Sequence, residues 1–130
     1  MANDVVAVQS WFKSMPNRLQ RQLALDLQRI ANNLQADIKA AAPVKSGALR
    51  DSVRVRRGRN TLEYFVEAGG SNTMGEIRTG SGVSYDYSLA VEFGTKKMEA
   101  QPFFYSTYRE KRDAMREEIA QAVYEASGRL

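Results

Sequence analysis

Apolar residues recur along this chain at two periods, and the places where the period changes mark its elements. Val5, Val8, Phe12 and Met15, with Trp11 beside them, stand at helical spacing behind Asn3, a capping residue, and predict a short first helix. Pro16 interrupts that stripe. Proline suits the first turn of a helix and not its interior, so a second helix is predicted from Met15 or Pro16. Leu19, Leu23, Leu27, Ile30, Leu34, Ile38 and Ala41 follow at steps of 4, 4, 3, 4, 4 and 3. One apolar face is thereby held for about 26 residues, roughly 40 Å at 1.5 Å per residue, until Pro43 ends it. The opposite face, with Gln20, Arg21, Asn32, Gln35 and Lys39, is expected to meet water or a partner.

Past Pro43 the period shortens. Lys45-Ser46-Gly47-Ala48-Leu49-Arg50 reads as a turn in which Ser46 can cap one helical turn, and Ser52 opens a strand pattern with Val53 and Val55 alternating with Arg54 and Arg56. In the next run Leu62, Tyr64 and Val66 are set against Glu63 and Glu67, Phe65 being the exception. Taking Arg57-Gly58-Arg59-Asn60 as the loop of a hairpin puts Arg56 opposite Thr61, Val55 opposite Leu62, Arg54 opposite Glu63 and Val53 opposite Tyr64. Apolar meets apolar and charge meets opposite charge in that register.

Residues 69–84 contain five glycines (69, 70, 75, 80 and 82) and read as a long loop, with Met74, Ile77 and Val83 its only anchors and a third strand conceivable at 76–78. Loops of this length in a compact domain are usually functional or ordered by a partner. Tyr85, Leu89 and Phe93 at steps of four favour one or two helical turns closed by Gly94, a buried strand being the alternative. Beyond Pro102, Phe104, Tyr108, Met115, Ile119, Val123 and Ala126 predict a last helix to about Ser127, its stripe thin at Lys111 and Arg112. The fold class is α+β: two long helices flanking a small antiparallel β-sheet with a long Gly-rich loop.

Composition narrows the chemistry. The 130 residues, 43% apolar and 26% charged, suit one domain with a continuous core. With no Cys and no His, thiol nucleophiles, disulfides, thiolate metal sites, the usual catalytic base and the commonest zinc ligand are all excluded. Uninterrupted apolar runs fall far short of the roughly 20 residues that cross a bilayer. Residues 1–10 carry Asp4 and no Lys or Arg, unlike a secretory leader, so synthesis in the cytoplasm is expected.

The net charge of +4 is unevenly spread: Lys45, Arg50, Arg54, Arg56, Arg57 and Arg59 against Asp51 give residues 45–59 a charge of +5, leaving −1 for the rest. Such a block suits phosphates or an acidic partner, or else is a strand edge kept soluble by arginine. With Tyr64 and Phe65 nearby it has the composition of a nucleic-acid surface, one that would be phosphate-directed and salt-sensitive, although no recognised module accompanies it.

Catalytic patterns fail at their working residues. Gly75 and Gly80 have the glycine spacing of a phosphate loop, but Ser81 stands where its lysine belongs, and Tyr85 occupies the third glycine position of a dinucleotide fingerprint. Ser10 and Lys13 have a serine–lysine spacing without the accompanying elements. Glu63, Glu67, Glu76 and Glu92 offer carboxylates, yet Glu63 is already opposite Arg54 in the predicted hairpin. No catalytic residue, cofactor or metal site is assigned.

Three segments in series carry a resemblance. Ala42-Pro43-Val44-Lys45-Ser46-Gly47-Ala48-Leu49-Arg50-Asp51-Ser52-Val53, then Val91-Glu92-Phe93-Gly94-Thr95, then Ala100-Gln101-Pro102-Phe103-Phe104 resemble the tail-completion or minor tail component family of long-tailed bacteriophages, over about residues 11–115. One departure is Phe104 followed by Tyr105, where the family more often has leucine and a basic residue or proline. The resemblance implies a non-enzymatic virion protein in one neck or tail-completion domain, residues 1–130. Its parts would be a helical one at 1–42, a sheet and loop part at 43–95 and a C-terminal helix at 102–128. It further implies a ring, six copies by analogy with the sixfold tail, at the head-proximal end of the tail. Partners would be the tail tube or tail terminator, the connector or stopper proteins and, non-specifically, the genomic DNA in the channel, with no membrane.

The residues carried over are structural: Pro43, Ser46, Gly47 and Leu49, then Glu92, Gly94 and Thr95, then Pro102 and Phe103. Arg54, Arg56, Arg57 and Arg59 are the candidates for contact with a subunit or with DNA. Glu92, between Val91 and Phe93, is either a solvated turn residue or a buried carboxylate needing a partner such as Arg50 or a backbone amide. The alternative function is a small sequence-independent DNA-binding protein using the Arg-rich hairpin.

Overall fold

A computed structural model of the chain describes residues 14–43, 47–70, 73–76 and 84–128. The predicted first helix, with Val5, Val8, Trp11 and Phe12, lies outside them, as do Ser46 and residues 77–83 of the predicted loop. Among the described residues are four helices and four short strands, an α+β architecture with two long helices.

Helix α1 (Asn17–Ala41) starts behind Pro16, whose carbonyl accepts the Leu19 and Gln20 N–H groups at 3.0 and 3.1 Å. It stops where Ala42 turns extended, as the residue ahead of a proline must. Its buried face is Leu19, Leu23, Ala24, Ile30, Ala31, Leu34 and Ile38, whereas Leu27 is half-buried and Ala41 exposed. Helix α4 (Phe104–Gly128) runs antiparallel to it: Leu19 and Leu23 meet Ala122 and Ala126, and Leu34 and Ile38 share a core with Met115 and Phe103. Small alanines on α4 let the two helices approach closely at the far end of the pair.

Between them the chain builds a short helix α2 (Ala48–Ser52), strands β1 (Arg54–Arg57), β2 (Tyr64–Glu67), β3 (Met74–Glu76) and β4 (Ser84–Asp86), and helix α3 (Tyr87–Phe93). Gly47 sits ahead of α2 at φ +82°, a left-handed conformation that favours glycine. Ser52 ends α2 instead of opening a strand: its hydroxyl donates to the Leu49 carbonyl at 2.6 Å, and the strand begins at Arg54.

The hairpin exists with a different register from the predicted one. Arg54 faces Glu67, Val55 faces Val66, Arg56 faces Phe65 and Arg57 faces Tyr64, four residues further along β2. The loop is therefore residues 58–63, closed by the Gly58 N–H to the Glu63 carbonyl at 2.7 Å. Leu62 leaves the strand to pack beside Val123 on the Leu19–Leu23 cluster. The region predicted as one loop, residues 69–84, holds β3 and the start of β4, which pair Met74 with Asp86, Gly75 with Tyr85 and Glu76 with Ser84. That third strand sits at Met74–Glu76, just before the predicted position.

The larger core joins Leu34, Ile38 and Ala42 of the first helix region to Leu49, Val53, Val91 and Phe103. Val66, Ala68, Tyr87, Met98, Phe104 and Met115 close around it. The second and third family-like motifs both enter this core, and their meeting defines the candidate site.

Candidate functional site

Helix α4 begins without a Ser, Thr, Asp or Asn at its cap position, which Phe103 occupies. A helix start leaves N–H groups without partners, and burying them unpaired is costly. Here Glu92, eleven residues upstream in sequence, supplies the acceptors: Oε2 takes the N–H groups of Phe103 and Phe104, and Oε1 that of Tyr105, each at 3.0 Å. The carboxylate is 7% exposed and lies where the positive end of the helix dipole favours an anion. Its partner is thus backbone amide, while Arg50 pairs with Asp51 on the surface.

The chain between the two motifs is folded to make this possible. Gly94 closes α3 at φ +76°, and its N–H reaches the Ala90 carbonyl at 2.8 Å. A Cβ at Gly94 would lie 2.8 Å from the Ala100 nitrogen, so glycine is required both by conformation and by space. Thr95 and Met98 bond each other's backbones, the Gln101 N–H reaches the Val91 carbonyl at 2.8 Å, and the Thr95 hydroxyl accepts the Lys97 N–H. Pro102 is exposed just ahead of the helix, and the Phe103 side chain is buried in the core. Of the first motif, Gly47 and Leu49 are buried and Pro43 half-buried, with Leu49 in the same core as Phe103.

A second polar node holds the other end of α3. Asp86 caps this helix, its Oδ1 accepting the Ser88 N–H at 2.9 Å and the Ser88 and Thr73 hydroxyls at 2.6 and 2.7 Å; Oδ2 accepts the Gly70 N–H at 3.4 Å. Burial pushes the Asp86 carboxyl upward, but these hydrogen bonds outweigh it and hold the group below the ordinary carboxylate range. Gly69, at φ +95°, packs so close that a Cβ would meet the Ser88 hydroxyl at 2.6 Å, and its N–H donates to Ser52 Oγ at 3.0 Å.

The four arginines divide into two pairs. Arg54 and Arg56 both engage Glu67, at 3.1 and 2.7 Å. Arg54 also donates to the Gly69 and Ser52 carbonyls, and Arg56 lies 4.6 Å from the Phe65 ring centroid. The arginine–glutamate pairing predicted for Arg54 is met by Glu67 instead of Glu63, whose carboxylate accepts the Arg59 N–H in the loop. Arg57 and Arg59 are exposed, and among the described residues no carboxylate lies within ion-pair distance of either guanidinium.

Sequence reasoning missed the surface above the Glu92 cap. The stripe of Leu89 and Phe93 is not buried: these residues are 58% and 66% exposed, while Ser88, Val91 and Glu92 face inward. Tyr105, 48% exposed, continues this surface with its ring 6.2 Å from that of Phe93. Together with Val66, Ala68, Phe103 and Phe104 they line an open groove of about 250 Å³ between β2, α3 and the start of α4. Spacing at steps of four locates this stripe on a helix but not which side of it the fold covers.

The arrangement builds and presents a surface. Among the described residues no group of His, Cys, Asp and Glu side chains is placed to hold a metal ion, and no helix is long and apolar enough to cross a membrane. Compared with known families, residues 7–94 match the family described as "Bacteriophage HK97-gp10, putative tail-component". The chain belongs to this HK97-gp10-like family, and the role that follows is that of a phage tail component. The match includes the first motif and the second as far as Gly94; Thr95 and the third motif lie outside it, and the third is tied to it by Glu92. No curated protein and no solved structure matches the chain significantly.

Proposed function

We propose that this chain assembles as a ring, six copies by analogy with the tail's symmetry, at the head-proximal end of a phage tail and completes the tail for head–tail joining. Residues 1–130 act in this reading as one non-enzymatic domain of the virion neck, touching the tail tube or terminator on one side and the connector or stopper on the other. Family membership supplies the tail. The observation that carries the assembly role is the apolar surface of Leu89, Phe93 and Tyr105, held in place by the Glu92 cap and exposed among the described residues. Large apolar side chains that stand exposed side by side suit burial against a partner.

The test is the mass of the purified protein alone and with tail tubes, with negative-stain images of both. A ring at one end of each tube is expected, and a protein that never joins a tube end overturns the reading. A second reading, sequence-independent contact with DNA, is favoured by Arg57 and Arg59, whose exposed guanidinia on the hairpin have no carboxylate partner among the described residues. Duplex binding that falls steeply with salt and is lost in Arg57→Ser with Arg59→Ser supports it; unchanged binding in that variant removes it.

A further inference from the structure

The groove between β2, α3 and the start of α4 joins an apolar floor to a cationic rim. Leu89, Phe93 and Tyr105 are exposed along it. On one side Arg54 and Arg56 share the single carboxylate of Glu67, leaving a net positive charge. On the other, Arg109 is exposed one helical turn after Tyr105 and hence on the same face of α4. An occupant that matches is an apolar segment bearing negative charge and no positive charge.

One stretch of this chain outside the described residues has that composition. Residues 4–12 hold Asp4 as their only charge, with Val5, Val8 and Phe12 at helical spacing and Trp11 beside them. The aromatic end of this stretch, Trp11 and Phe12, cannot reach the groove of its own chain. Met15 is fixed in the Leu19–Leu23 cluster at the start of α1, whereas the groove adjoins the core of Leu34 and Ile38, about 25–30 Å along the helix at 1.5 Å per residue. Phe12 and Trp11 precede Met15 by three and four residues, a reach of at most about 14 Å even fully extended. A neighbouring copy has no such restriction.

We infer that the groove of Leu89, Phe93 and Tyr105 receives residues 4–12 of a second copy of this chain. The contact is head to tail, because it joins one end of the α1–α4 pair to the other. It therefore propagates from copy to copy and closes into a ring when the rotation allows. The inference deepens the ring reading by naming its subunit contact.

Trp11 is the chain's only tryptophan, so its emission reports the segment directly. In a dilution series of the full chain, the expected result is a blue shift of Trp11 emission that appears together with the increase in mass and reverses on dilution. Phe93→Asp, at an exposed position, and Val8→Asp are each expected to abolish both signals, with far-UV circular dichroism of Phe93→Asp unchanged. Mixing the two variants restores one intact groove and one intact segment per pair. Dimers that do not extend are expected, with the blue shift confined to the Trp11 of the Phe93→Asp chains.

Association in which Trp11 stays in water, or a mixture that remains monomeric while the unmodified chain associates, overturns the inference. So does a Trp11 that is shifted at every dilution and insensitive to Phe93→Asp. Rings on tail tubes under any of those outcomes would leave the proposed function standing with a different contact. Docking without rings on tubes would do the reverse.

Discussion

The two ends of the α1–α4 pair are built differently. At the far end two helices suffice: Leu19 and Leu23 settle on Ala122 and Ala126, one loop residue, Leu62, covers the seam, and further along the ion pair of Arg29 with Glu118 bridges the helices in solvent at 2.9 Å. At the near end several segments converge, and polar groups hold them: the buried Glu92 on the start of α4, the half-buried Asp86 on the start of α3, and the buried Ser52 between α2 and Gly69. Apolar packing alone tolerates exchange of one side chain for another of similar size. Polar nodes with each acceptor aimed at a particular N–H specify one arrangement, and they occur where the exposed apolar surface is presented.

Breaking the near end should therefore cost more than breaking the far end. Glu92→Ala leaves the N–H groups of Phe103, Phe104 and Tyr105 without their acceptor in a mostly buried site. A loss of about 3 kcal/mol is expected in urea unfolding, with Glu92→Gln, which keeps one carbonyl oxygen, losing roughly half of that. Gly94→Ala combines a strained φ with a Cβ driven against the Ala100 nitrogen, and about 2 kcal/mol is expected.

Asp86 gives a pH signature. Because its folded carboxyl titrates below the ordinary range, its stabilising contribution is complete above that range and disappears as pH falls through the depressed value. Asp86→Asn, which keeps a capping oxygen and removes the titration, should flatten this acid limb of a stability–pH curve, and Asp86→Ala should cost about 1 kcal/mol at neutral pH, the worth of a helix cap. Smallest of all, Arg29→Ala at the far end should change stability by no more than about 0.5 kcal/mol, since both partners are largely exposed and screened.

The same contrast explains what could be read in the sequence. Helix α1 was legible because a run of steps of three and four bounded by Pro16 and Pro43 has only one helical solution. The hairpin was legible as a pair but not in register. Leu62 and Val66, like Glu63 and Glu67, are four residues apart, so sliding β2 by four still sets apolar residues opposite Val55 and a glutamate opposite Arg54. Only the loop closure at Glu63 and the capture of Leu62 by the second cluster choose between them.

Leu89 and Phe93 correctly marked a short helix closed by Gly94, but an apolar stripe is silent on which of its residues the fold covers. Glu92 was marked in the sequence by its neighbours Val91 and Phe93, with a backbone amide among its candidate partners, but which amides it takes was not legible, because the helix start that lacks a capping residue is distant in sequence. Local patterns do not encode such pairings.

The cap by Glu92 fixes the start of the last helix to the family-matched stretch, and amide hydrogen exchange at Phe103, Phe104 and Tyr105 tests it most directly. All three amides should be protected in the unmodified protein. They should exchange fast in Glu92→Ala while amides of α1 near Leu19 and Leu23 keep their protection. Fast exchange at these three positions in the unmodified protein, or protection that survives Glu92→Ala, would contradict the account.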